Sequence, residues 1–212
     1  ALRLVLGEQV EQKGSLVDSQ RLRFDFSHQQ AVTSEELSKI ERIVNDEIRA
    51  NNSIDVDVMP YDAALECGAI ALFDEKYTEQ VRVLRMGEFS VELCGGTHAR
   101  RTGDIGLFKL ITESGVASGV RRIEAITGGR AINDVQAREQ NLKAIAGWLK
   151  THPDEVGKKI EVLTEKVKAQ DKEIQNLKTR LAGRSSGDLG DTAVSVGDIK
   201  VVSQVIDGAD VN

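Results

Sequence analysis

The stretch Val81-Arg82-Val83-Leu84-Arg85-Met86-Gly87-Glu88-Phe89-Ser90-Val91-Glu92-Leu93 decides the fold. Two short apolar runs, residues 81–86 and 89–93, meet at Gly87-Glu88, where glycine allows the backbone to turn tightly, so the pattern predicts an antiparallel hairpin. Upstream, residues 21–26 alternate Leu22, Phe24 and Phe26 on one face. Residues 33–50 form a capped helix with Leu37, Ile40, Ile43, Val44 and Ile48 on its apolar stripe. A strand at 54–58 and a short helix started by Pro60 follow. Downstream, Gly103, Gly106, Gly115 and Gly119 punctuate two more strands, 107–112 and 120–127. Residues 1–128 therefore read as an α+β domain, a mixed but largely antiparallel sheet with packed helices.

From residue 129 the pattern changes to nearly pure helix, with an antiparallel helical hairpin or coiled coil expected over 129–183. Val156, Ile160, Leu163, Val167, Gln170, Ile174, Leu177 and Leu181 are spaced 4, 3, 4, 3, 4, 3, 4, a heptad seam with one polar position. Ile132, Val135, Glu139, Leu142, Ala146 and Leu149 form a second seam, and Thr151-His152-Pro153 separates the two. The hairpin either closes on itself or shares its seam with a second chain. Residues 184–191 are rich in Gly and Ser and read as a linker, and 192–212, with a strand at 199–206, are too few to make a domain alone. Ala1 opens directly into a helical pattern (Leu2, Val5, Leu6, Val10) with no capping residue before it. The chain is thus expected to be a piece of a longer protein.

Composition narrows the functional classes. The chain has 212 residues, 40% hydrophobic and 29% charged, the proportions of a chain able to bury a core. No apolar run approaches the roughly 20 residues of a membrane span, and no signal segment opens the chain, so a cytoplasmic protein is expected, with no membrane partner. The net charge of −6 argues against a polybasic nucleic-acid arm, and 4% aromatic residues against a reader that stacks many bases. Two cysteines make no disulfide framework.

The chemistry concentrates after residue 93. In Cys94-Gly95-Gly96-Thr97-His98 a thiol and an imidazole stand four positions apart across two glycines, a spacing that suits a metal-ligand pair, a Cys/His nucleophilic pair, or structure without chemistry. A tetrahedral zinc needs more ligands than this pair supplies. Of the other candidates, His152 reads as a solvated capping residue, Cys67 as a small core residue, and His28 as a hydrogen-bonded structural histidine. Residues 98–130 carry Arg100, Arg101, Lys109, Arg121, Arg122 and Arg130 against Asp104, Glu113 and Glu124, a local excess of three positive charges. Such a face suits phosphate groups, or is simply a solvated surface with ion pairs. Gln12-Lys13-Gly14-Ser15 reads as a polar loop or as the rim of a pocket.

Three segments together resemble the bacterial alanyl-tRNA synthetase family: Val91-Glu92-Leu93-Cys94-Gly95-Gly96-Thr97-His98, Thr102-Gly103-Asp104-Ile105-Gly106 and Gly119-Val120-Arg121-Arg122-Ile123-Glu124-Ala125. Gln12-Lys13-Gly14-Ser15, Arg23-Phe24-Asp25-Phe26-Ser27-His28 and Ala71-Leu72-Phe73-Asp74-Glu75-Lys76-Tyr77 extend the likeness. The resemblance implies that 1–128 is most of an editing domain, which hydrolyses tRNA(Ala) mischarged with serine or glycine, and that 192–212 begin a C-terminal tRNA-binding domain.

It implies a zinc site (Zn2+) built from a His-x-x-x-His pair together with Cys94 and His98, of which only the second half is in this chain. Gln12 and Thr97 are the implied catalytic-pocket residues, and Arg100, Arg101, Arg121 and Arg122 the candidate tRNA contacts. ATP and Mg2+ belong to the family's aminoacylation domain, which is not in the sequence, so the piece itself is expected to be inactive in charging. Self-association through the helical hairpin or the C-terminal region is a further expectation. The rival readings are a stand-alone trans-editing deacylase, a threonyl-tRNA synthetase editing domain, and a structural helical-hairpin interaction module.

Overall fold

A computed structural model of the chain describes residues 1–70, 78–187 and 194–201. The chain divides into two compact units, Ala1–Arg138 and Glu139–Asn212. The first is an α+β unit with two antiparallel sheets. Its elements are α1 (Leu2–Leu6), β1 (Gln12–Val17), β2 (Leu22–Ser27), α2 (Ser34–Ala50), β3 (Ile54–Pro60), α3 (Tyr61–Glu66), β4 (Gln80–Met86), β5 (Ser90–Leu93), β6 (Phe108–Ala117), β7 (Val120–Thr127) and the first part of α4 (Gly128–Leu149). One sheet has the order β1-β2-β7-β6 and the other β3-β4-β5. The named strand pairs of both are antiparallel, with one isolated parallel bridge between Ile70 and Glu92.

The helix that lies on the larger sheet begins where its sequence says it should. The Thr33 hydroxyl accepts the Glu36 N–H and the Glu36 carboxylate accepts the Thr33 N–H, a reciprocal capping box. Ile40 is 1% exposed and packs with Phe26, Ile123, Val32, Leu6 and Val10, while Ile48 packs with Phe108 and Ala125. Val10 joins this core from outside the helix, because α1 stops at Gly7, whose φ of 109° leaves the helical region. Further along α2, Asn45 donates to the Phe108 carbonyl at 2.8 Å and accepts its N–H at 2.9 Å, and Glu41 accepts the Leu110 N–H at 2.8 Å. Side chains of α2 thus take the place of a further strand beside β6, which satisfies an edge.

The smaller sheet contains the hairpin expected around Gly87, β4–β5, with β3 paired along the other edge of β4. That glycine has φ 57°, and Met86 faces Ser90 across the turn. Val81, Val83 and Leu93 are buried with Ala64 of α3 and Ala69. Segment 100–102 is then stitched to the end of α2. Thr102 donates its hydroxyl to the Glu47 carbonyl at 2.9 Å and accepts the Asn52 N–H at 3.0 Å, and Asn51 closes the helix in a left-handed conformation, φ 53°. The five residues that carry the Cys/His pair are strung between β5 and this stitch.

Two elements differ from the sequence reading. Residues 12–17 are an edge strand, not a loop, with a bulge between Gln12 and Gly14. Residues 108–117 make one long strand, which reaches past the expected end at 112 and hairpins into β7 at Gly119. The second unit holds the rest of α4, a 3-10 turn at Pro153–Glu155, α5 (Val156–Gly187), and the hairpin of β8 (Val194–Val196) and β9 (Ile199–Val201). The expected linker at 184–191 falls partly on the end of α5, and 188–191 lie outside the described residues, as do 202–212 and Ala71–Tyr77. In α5, seam residues Ile160, Leu163, Val167, Ile174, Leu177 and Leu181 are 38–65% exposed.

Candidate metal centre

The register of the β4–β5 hairpin places the site. Val83 faces Leu93, so the next pair outward is Arg82 with Cys94, and the Cys94 N–H donates to the Arg82 carbonyl at 3.1 Å. Beyond Cys94 the chain bends through Gly95 and Gly96 and returns His98 to the sulfur, with Nε2 at 3.2 Å from Sγ. Bond lengths of about 2.3 Å to sulfur and 2.0–2.1 Å to nitrogen in a tetrahedral zinc site would hold the two atoms about 3.5 Å apart, so a small opening admits the ion. A Cβ on Gly96 would stand 3.6 Å from Sγ and 3.8 Å from Nε2, in the space beside both ligand atoms. The thiol and the imidazole are donors of the kind zinc takes, at a separation that suits two of its four positions.

Electrostatics favour the ligand form of the imidazole. Burial lowers the His98 pKa first and the Arg82 charge lowers it further, against the opposing pull of Glu92, so the ring is neutral at neutral pH. Glu92 also acts on the amino group of Ala1, whose pKa is lowered mainly by burial and raised in part by Glu92 and Glu47. Among the described residues no group of three or more His, Cys, Asp or Glu side chains forms a metal cage.

The other candidates have separate places. Thr97 is exposed in the same loop. Gln12 lies on β1 of the other sheet and donates to Ser15 Oγ at 3.2 Å, and among the described residues no hydrogen bond joins it to the loop. Arg121 is gripped by Glu113 at 2.5 and 2.6 Å, and Arg122 by Asp25 at 2.7 Å through both nitrogens. Gly115 makes the first pair possible, since a Cβ there would sit 2.9 Å from Arg121 Nη1. Arg101 bonds the side chain and carbonyl of Asn51, and Arg100 is exposed.

Cys67 is exposed at the end of α3, which corrects its reading as a core residue: α3 turns its buried side, Ala64, to the sheet. His152 is solvent-exposed and pairs with Asp154 at 3.2 Å, and the His28 N–H donates to the Gly119 carbonyl at 3.0 Å. The residue that sequence reasoning missed is Arg82, whose Nη1 donates to the Cys94 carbonyl at 3.1 Å and also to the Gly96 carbonyl. The sequence hid it because the turn takes three residues, 87–89, where a two-residue turn at Gly87-Glu88 would have set Arg82 opposite Leu93.

A family profile described as the threonyl and alanyl tRNA synthetase second additional domain matches residues 81–124, the span of the hairpin, the Cys/His loop and β6–β7. Alanine–tRNA ligase of Methylococcus capsulatus is 53% identical over 203 residues, 96% of this chain and 23% of its own length. The same enzyme of Nitrosococcus oceani is 55% identical over 210 residues, 99% and 24%, and that of Xanthomonas campestris pv. campestris is 52% identical over 210 residues, with the same shares. The chain spans about a quarter of the length of these curated relatives. Over nearly its whole length the chain is homologous to alanine–tRNA ligase, and it corresponds to the segment of that enzyme carrying the second additional domain of threonyl and alanyl tRNA synthetases.

Proposed function

We propose that this segment is the part of an alanine–tRNA ligase that hydrolyses tRNA(Ala) mischarged with serine or glycine, and that it supplies half of a zinc site for that reaction. The observation that carries the reading is the approach of Cys94 Sγ to His98 Nε2 at 3.2 Å across a double-glycine bend. The other half, by the family resemblance, is a His-x-x-x-His pair. Aminoacylation with ATP and Mg2+ belongs to other parts of the ligase. The protein works in the cytoplasm with tRNA as its partner.

In this reading Cys94 serves as a thiolate ligand and His98 as a neutral one, both held before substrate arrives. A bound zinc would supply Lewis-acid polarisation and orientation at the ester that joins the amino acid to the terminal ribose. Thr97 lies in the loop of the ligand pair, and Gln12, on β1 of the other sheet, is proposed as a second pocket residue. A hydrogen bond from either to a serine hydroxyl separates serine from alanine better than a difference in volume does. Of the four arginines that the sequence offers as tRNA contacts, Arg100 is the one proposed to meet phosphate directly, since Arg101, Arg121 and Arg122 are held by Asn51, Glu113 and Asp25. The α5 seam supports self-association with a second copy.

The test restores the sequence ahead of Ala1 and measures serine release from mischarged alanine tRNA, with Cys94→Ala beside it. Hydrolysis that needs Cys94 supports the reading, and hydrolysis undiminished in Cys94→Ala removes it. The chain from Ala1 alone is expected to bind zinc weakly, and tight one-to-one binding would overturn the half-site.

A further inference from the structure

The loop that carries the ligand pair has little packing to hold it. Residues 95–98 are exposed, and a side chain on Gly95 would meet no atom within 4 Å. Two successive glycines also make such a loop costly to order. Yet the pair is brought together, and among the described residues the hydrogen-bonded restraint has one source. Among the described residues, every hydrogen bond that ties 94–98 to the rest of the chain ends on Arg82: its carbonyl accepts the Cys94 N–H, and its Nη1 donates to the carbonyls of Cys94 and Gly96. One nitrogen thus draws together two carbonyls that flank Gly95, which fixes the bend that returns His98 to the sulfur. Arg82 is itself anchored in the central strand of its sheet, between buried Val81 and Val83.

We infer that Arg82 is a positioning residue that sets the Cys94–His98 pair in ligand geometry before metal binds. The inference rests on the zinc reading above. Groups that hold metal ligands from outside typically contribute 10–100-fold to affinity, and an unanchored glycine loop would have to be ordered at the expense of binding.

The experiment uses the full-length ligase that contains this segment, with zinc affinity measured by chelator competition and cobalt substitution read from the thiolate-to-metal absorption band. Arg82→Met is expected to weaken zinc binding about 10–100-fold and to diminish the cobalt band while far-ultraviolet circular dichroism stays unchanged. Arg82→Lys keeps a donor and is expected to recover part of the affinity. In the metal-free protein, amide hydrogen exchange across 94–98 is expected to quicken in Arg82→Met. Should that variant fold poorly, Arg82→Gln carries the comparison. A normal wild-type cobalt band that Arg82→Met leaves intact, with unchanged exchange, overturns the role of Arg82 alone. A wild-type protein without a cobalt–thiolate band overturns the zinc reading itself.

Discussion

Asp25 shows how a single residue can bind two ends of the sequence and hide the result from anyone reading it in order. It is 8% exposed on β2, and Arg122, its cross-strand neighbour on β7, donates to both carboxylate oxygens. Those bonds, with the nearby charges of Arg122 and Arg23, hold the Asp25 carboxyl below its ordinary value. A depressed carboxylate stabilises the fold fully above its unfolded pKa, about 3.9, and the contribution is lost as pH falls through the folded value. Thermal midpoints taken from pH 6 down to pH 2.5 should therefore fall more steeply in the wild-type chain than in Asp25→Asn, which should start lower at pH 6. Parallel profiles would dismiss the pair as a source of acid lability. The Cys94–His98 pair was legible because its members are four residues apart in one loop. The partner of Arg122 was not, because Asp25 reaches it only through the pairing of β2 with β7, which no local pattern reveals, and that of Arg121 was hidden because β6 runs on past its expected end at 112 to include Glu113.

Among the elements, α2 was readable almost to the residue, since a cap and an apolar stripe are both local. Thr33→Ala removes the hydroxyl half of the capping box and should cost about 1 kcal/mol in urea unfolding, and no change in the midpoint would mean that the cap frays in solution. The strand β1 was missed because it is an edge with a bulge and mostly exposed side chains, so burial imposes no alternation on its sequence.

The seam of α5 was readable as a repeat, and its exposure in the structure bears on which partner it takes. Isoleucine or valine at 160, 167 and 174 alternates with leucine at 163 and 177, the arrangement that favours two parallel strands. In that register Lys166 of one copy meets Asp171 of the other, and Glu173 meets Lys178, whereas an antiparallel pair would keep Lys166 against Glu173 but oppose Lys159 and Arg180. At about 1.5 Å per residue α4 is also some ten residues too short to cover α5 to its end. Leu177→Cys should then cross-link to itself under oxidation, and Gln170→Leu should tighten the dimer in sedimentation experiments. A Leu177→Cys chain that cross-links only to a cysteine placed at Ile160 would establish the opposite orientation.

At the scale of the whole molecule, the proposed tRNA partner raises the question of how a chain of net charge −6 would engage a polyanion. Affinity for RNA comes largely from cations that displace counterions from phosphates, so what matters is how many basic side chains remain uncommitted, not how many are present. The excess of three positive charges over 98–130 overstates that number, because Arg121 and Arg122 are already held by Glu113 and Asp25. Arg100 is different: it is exposed, and among the described residues its side chain makes no ion pair. With tRNA as the ligand, Arg100→Gln should weaken binding and reduce the slope of log affinity against log salt by about 1, with an unchanged thermal midpoint. Arg122→Gln should lower the midpoint and leave that slope alone. The reverse pattern would place Arg122 on the RNA-facing surface and make its bond to Asp25 a resting contact that tRNA displaces, in which case Asp25→Asn should tighten tRNA binding at low salt.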